Sequence, residues 1–192
     1  MKRLVPFIIV LLLIMVVGCP DFPRLGPATV ERAWSYYEDG EYEKAIIEFE
    51  DVIDAEPDNA EAYNGLGWCY GIICSLSTSI AYFDTALQLQ SSLVDPYAGL
   101  AFSYADIPDD NHAVSSATEL ILRDALYFFG HDNDITWHDV RLVKARSLCN
   151  LGDFTSALAE VQVLNSSFTC NVSTPDGRRA LLQEIERLRG SV

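Results

Sequence analysis

Three tyrosines, Tyr36, Tyr70 and Tyr104, stand 34 residues apart, and their neighbours repeat with them. Ala33, Gly67 and Ala101 lie three positions before each tyrosine; Trp34, Trp68 and Phe102 lie two before. Tyr63 and Tyr97 keep the interval, as do Leu66 and Leu100, Gly65 and Gly99, and Phe49 and Phe83. A fixed period of this size marks stacked supersecondary units, none of which can bury its apolar face alone. Thirty-four residues accommodate two helices and their turns, and stacks of such units present extended concave surfaces suited to binding.

Counted from Gly26, the units run 26–59, 60–93 and 94–127. In the first, Gly40 marks a turn between a helix ending near Asp39 and one starting near Tyr42, and Pro57 ends the second helix. The small residues Ala33, Gly67 and Ala101 on first helices, and Ala45, Ser79 and Ala113 on second helices, permit close approach. Phe49, Phe83, Leu66, Leu100 and the three tyrosines are expected to fill the space between. Alternation of small and large is what packing of paired helices requires.

These residues resemble the tetratricopeptide repeat. Unit one supplies Tyr36, Gly40, Tyr42, Ala45, Phe49 and Pro57; unit two supplies Tyr63, Leu66, Gly67, Tyr70, Phe83 and Ala86. Unit three supplies Tyr97, Leu100, Ala101, Tyr104, Ala113 and Leu120, departing from the pattern at Pro108 and Ala117. Ala145, Leu148, Gly152, Phe154, Ala157 and Leu164 fit a fourth unit over 138–171, shifted by ten residues. We read the extra ten as a longer second helix in unit three, reaching Phe129-Gly130, plus a polar, solvated loop at His131–Asp134. The resemblance implies an all-α, right-handed helix-turn-helix repeat solenoid of about four units. A helix over 175–189, opened by Thr174-Pro175 and lined by Leu181, Ile185 and Leu188, is read as its cap.

The amino-terminal end reads as targeting rather than fold. Lys2 and Arg3 precede an apolar run, Leu4–Val17, which spans about 21 Å as a helix against a ~30 Å hydrocarbon core. Val16-Val17-Gly18-Cys19 resembles the lipobox of bacterial lipoproteins. That resemblance implies a signal peptide over 1–18, lipid on Cys19, and a proline-rich tether completing 19–27, with the repeat domain over 28–192. Multiple acyl chains hold a protein stably on a membrane where one does not. Pro20, where aspartate would favour the inner membrane, implies the outer membrane facing the periplasm.

Charge narrows the partners. The chain carries 13 basic and 28 acidic residues; removal of Lys2 and Arg3 leaves 11 against 28, a net of −17. Between Ala45 and Leu122 there are 13 acids and neither lysine nor arginine. Nucleic acid is an unsuitable partner for such a surface. The stripe beside the expected core stripe reads Val30, Trp34 and Tyr37, then Glu61, Asn64 and Trp68, then Asp95, Ala98 and Phe102. The resemblance implies that this stripe lines the concave groove. Trp34, Tyr37, Asn64, Trp68, Phe102, Glu61 and Asp95 are therefore the candidate groove for an apolar or mildly basic peptide or helix of another envelope protein. Packing of the same rings between neighbouring helices, or under the tether, is the competing reading. A free groove predicts that Trp34→Ala with Trp68→Ala spares stability.

His112, His131 and His138 form no metal or catalytic motif, and no nucleophile elbow or phosphate-binding glycine loop is present. The expectation is a protein without catalytic residues, metal or cofactor: an interaction scaffold or, alternatively, a self-assembling structural lipoprotein. Cys149 and Cys170 can close a loop worth about 3 kcal/mol, or serve with Cys69 and Cys74 as buried apolar groups.

Overall fold

Each pair of helices is built by one turn motif, and the repeating tyrosines sit inside it. The computed structural model describes residues 26–190; the segment read as a signal peptide, Cys19 and most of the segment read as a tether lie outside the described residues. At the first turn Gly40 N–H donates to Tyr37 O (2.9 Å) and Glu41 N–H to Tyr36 O (2.8 Å). The latter bond recurs from Ser75 to Tyr70 O (2.9 Å), Asp109 to Tyr104 O (2.8 Å) and Asp153 to Leu148 O (2.9 Å). This closure satisfies carbonyls that a helix end would otherwise strand. It needs a left-handed residue, supplied by Gly40 (φ 75°) and Gly152 (φ 83°), whereas Cys74 occupies the place at φ 60°. The tyrosine rings are half-buried clamps over the turns rather than core. Tyr70 stacks on Tyr82, Tyr104 stacks on His112, and Lys44 lies over Tyr36.

Nine helices follow among the described residues: α1 Val30–Glu38, α2 Tyr42–Ala55, α3 Ala60–Ile72, α4 Leu76–Leu89, α5 Asp95–Asp106, α6 Asp110–Arg123, α7 Trp137–Asn150, α8 Phe154–Leu164 and α9 Pro175–Arg189. Side-chain caps at Thr29, Asn59, Asp109, Thr136, Asp153 and Thr174 fix six of their starts. Each helix from α1 to α9 packs on the next, except that α6 and α7 are separated by a long connection before they meet. The first helices also touch in a row, α1 on α3, α3 on α5, α5 on α7 and α7 on α9. The architecture is an all-helical repeat solenoid.

The core is a series of rings set into glycine notches. A methyl group on Gly65 would stand 2.1 Å from Phe49 Cζ, and one on Gly99 the same distance from Phe83 Cζ. Phe83 also fills the notch at Gly67, so it locks α3, α4 and α5 together. Both phenylalanines are buried. Beside them Ser79 Oγ donates to Gly67 O (2.7 Å) and meets Ser103 Oγ at 3.2 Å, which satisfies a buried hydroxyl at a position filled by alanine in the other units. At the third recurrence the volumes exchange: the ring position holds Ala117 and the notch position, ten residues late, holds Val143.

Two corrections follow. The second helix of unit three ends at Arg123 and does not reach Phe129-Gly130. Residues 124–136 instead form an insert with one isolated antiparallel bridge, Phe128 to Thr136. Burial alternates along it: Tyr127 and Phe129 point inward, Leu126 and Phe128 outward. That period of two is extended chain, not helix. The cysteine pairing also does not form. Cys149 and Cys170 belong to a second apolar cluster with Leu142, Leu181 and Ile185, and all four described thiols are free. Burial pushes the Cys149 thiol up to about 11 and Cys69 up to about 12, so both stay protonated and unreactive at neutral pH.

Two substitutions test this packing. Gly99→Ala should destabilise the protein by about 1–3 kcal/mol in urea titration, through overpacking that outweighs alanine's better helix propensity. Cys74→Gly should stabilise it by about 1 kcal/mol by removing a non-glycine residue from the left-handed region.

Candidate functional site

The stripe of aromatics does lie on the row of first helices, but its upper part is covered by the chain itself. Trp34 and Tyr37 come from α1, Glu61, Asn64 and Trp68 from α3, and Asp95 and Phe102 from α5. Across them runs the 124–136 insert. Phe129, fully buried, stacks on Trp68 with centroids 4.1 Å apart and rings 22° from parallel. It also meets the edges of Trp34 (5.9 Å) and Tyr37 (6.1 Å). His131 stacks flat on the other indole, Trp34, at 3.8 Å and 4°. Its Nδ1 lies 2.7 Å from Glu38 Oε1, a hydrogen bond donated by the imidazole N–H. His131 is thus docked, not part of the solvated loop read from the sequence.

An open groove over Trp34, Tyr37, Asn64 and Trp68 is therefore corrected: these four side chains are buried in the main core, and only Phe102, Glu61 and Asp95 keep partial exposure. The physical reason is the width of an apolar face made by three indole and phenol rings, which the insert removes from water. Of the two readings, rings packed within the protein describes this region, and among the described residues the covering segment is the insert.

Beneath the insert lies a polar layer. Trp34 Nε1–H donates to Glu61 Oε1 (3.1 Å), and Asn64 Nδ2 donates to the same oxygen at 3.3 Å. Burial raises the Glu61 carboxyl above the usual carboxylate range, opposed by the Asn64 hydrogen bond and increased by nearby Asp95. Burial likewise raises Asp95, while Tyr127, His131 and Asn64 favour its charged form. The Tyr37 and Tyr127 phenols are pushed well up, first by burial and then by neighbouring acids, Asp132 for Tyr37 and Asp95 for Tyr127.

The open part of the first-helix row lies towards the carboxyl terminus. A cleft of about 590 Å³ lies between α3, α5, α7 and α9, with Asp134 and Ile135 of the insert in its wall. Trp68, Phe102, Ile72 and Val143 give it an apolar floor. Asp106, Asp110, Asp139 and Glu186 face the same space, with Arg146 and Arg189. Arg146 is held in an ion pair with Glu186. The indole Nε1–H of Trp68 is buried and meets no acceptor in the protein. No group of three or more histidine, cysteine or acidic residues suited to a metal occurs among the described residues.

The residues missed from sequence are Tyr127, Phe129 and His131. The signal in the sequence was the ten-residue slip in the period and a short apolar run, Leu126–Phe129, closed by Gly130 and a cluster of Asp and Asn that marks a turn.

Two consequences are measurable. Trp68→Ala should cost about 3–5 kcal/mol, the usual effect of deleting a buried large ring, and not leave the melting temperature unchanged. Glu61→Gln should raise the melting temperature at pH 7. A carboxyl whose folded pKa is raised gives stability that is complete below its ordinary pKa of about 4 and is lost as pH rises through the folded value. The gap between variant and parent should therefore close on acidification to about that pH.

Comparison with known proteins agrees with this architecture. Residues 35–71 match the family described as TPR repeat. No curated protein matches the chain. Among solved structures, YrrB, titled a TPR protein with an unusual peptide-binding site, superposes with TM-score 0.65 at 14% identity, covering 84% of each chain. MamA from AMB-1 gives 0.63 at 16% identity, covering 84% of this chain and 90% of its own. A thermophilic TPR protein of Thermus thermophilus gives 0.57 at 16% identity, covering 84% of this chain and 81% of its own. The chain thus carries a TPR repeat in residues 35–71 and folds as a helical-repeat solenoid of the kind those TPR proteins share.

Proposed function

We propose that this protein is a non-enzymatic interaction scaffold, held by lipid on Cys19 in a bacterial cell envelope, that takes a segment of another envelope protein in the cleft between α3, α5, α7 and α9. The observation that carries the reading is the cleft itself. It offers an apolar floor beside Phe102 and a surplus of acids over arginines. Apolar walls with a few fixed polar groups are the usual make-up of a recognition site. A partner segment that is apolar with one or two basic residues fits this surface, and the outer membrane is the proposed location.

Leu122 at the end of α6 and Leu126 and Phe128 within the insert are exposed, at 75%, 74% and 53%. Large apolar side chains left in water close together in the chain support self-association as a second reading. Light scattering on the full chain in detergent separates the two, because a concentration-independent monomer excludes self-assembly.

A photo-crosslinking residue at Phe102 should trap a defined partner from native membranes, whereas the same residue at Ile47, outside the cleft, should not. Asp106→Lys with Asp134→Lys, both exposed, should lower that yield at least tenfold with the melting temperature nearly unchanged. Equal yields at both positions would remove the cleft from consideration. Cys19→Ala should move the protein from the membrane to the soluble fraction; continued membrane retention would count against the lipid anchor.

A further inference from the structure

The insert is bonded to itself and only leans on the solenoid. Apart from Asp124 N–H to Leu120 O (2.8 Å) at the end of α6, its backbone hydrogen bonds among the described residues close within the insert and the start of α7: Phe129 N–H to Ile135 O (3.0 Å), Ile135 N–H to Asp132 O (3.1 Å) and Trp137 N–H to Tyr127 O (2.6 Å). What fastens it across the first helices is side chains, namely the Phe129 ring on Trp68, the buried Tyr127, and His131 between Trp34 and Glu38. Such a segment can lift without breaking a backbone bond to any of the helices it covers.

The surface it covers has a definite chemistry. One slot accepts an aromatic ring between Trp68 and the edges of Trp34 and Tyr37. A second slot, two residues along the chain, holds an imidazole flat on Trp34, with Glu38 in contact and Glu61 and Asp95 close enough to act on it electrostatically. Three acids around one stacked ring favour a cation there. Tyr37, Tyr42, Asp132 and Asp134 are the other titratable groups beside this slot.

We propose that the face over α1 and α3 is a second docking surface, occupied in the closed protein by the chain's own Tyr127–Asp132. From a partner it takes a segment with an aromatic residue followed two positions later by histidine or arginine. The inference rests on the reading of the concave side as the binding face. The tethered segment competes with the partner, so partner affinity falls by the fraction of time the insert is closed.

The test uses the full chain in detergent and a synthetic peptide, Tyr-Phe-Phe-Gly-His-Asp, copying residues 127–132. Phe129→Ala with His131→Ala should empty both slots, shift the Trp34 and Trp68 emission to the red, and bind the peptide with recovery of the blue emission. The unaltered chain should bind it at least tenfold more weakly, and a peptide with glutamate in place of histidine should lose at least tenfold on the variant. A folded variant that does not bind the peptide overturns the proposal. A variant that dimerises without binding the peptide assigns the face to a second copy and overturns the partner class. Because the double variant removes a buried ring, amide exchange on the unaltered chain provides the independent reading. Amides of 125–135 should open at least tenfold more often than those of α3; exchange of both only together would make the insert ordinary core and overturn the proposal. These readings need no partner in the cleft, so a negative crosslinking result at Phe102 leaves them unaffected.

Discussion

The ring of Phe83, set into notches at Gly67 and Gly99, joins three successive helices through one side chain. Around it the rest is placed. Trp68 and Phe83 meet edge to face at 5.6 Å, and Phe129 stacks on the same indole at 4.1 Å. A line of rings therefore runs from the buried second helix, through the first-helix row, to the insert. Interiors packed to crystal-like density transmit such constraints, because a displaced ring has no free volume to enter. Replacing the notch glycines would therefore disturb both the solenoid and what lies across it.

Burial of the aromatic stripe has an electrostatic consequence. Glu61 and Asp95 would be ordinary surface acids on an open groove; under the insert they lose water, and their carboxyls are raised. Asn64 and the Trp34 N–H offset part of that penalty by hydrogen bonding to Glu61. His131 completes the layer from above through Glu38. The chain thus places a stacked imidazole beside Glu38 and within electrostatic reach of Glu61 and Asp95. The open cleft nearer the carboxyl terminus keeps the acids in water, where they can meet a basic segment.

Much of this architecture was legible in the sequence, for a specific reason. The 34-residue interval is written by packing positions, and packing positions are local: Gly65 and Gly99 notch their rings, and Gly40 and Gly152 close their turns. The tyrosines were legible as repeating but not in their role, since a half-buried clamp and a core residue leave the same mark in a one-dimensional pattern. The insert was misread because helix continuation and extended chain compete for a short apolar run such as Ala125–Phe129, and propensity alone does not arbitrate. What settled it was a non-local demand: an apolar face over α1 and α3 that some segment had to cover. The period identifies which residues share that face, but not which distant residues close it.

The central claim is that the 124–136 insert seals the aromatic face against water. Trp137→Phe leaves Trp34 and Trp68 as the only indoles, so acrylamide quenching of that variant reports on the sealed face alone. The account predicts blue-shifted emission and a quenching constant several-fold below that of the same protein unfolded in denaturant. Emission and quenching equal to those of the unfolded chain, with helical content intact, would show the face open and contradict it.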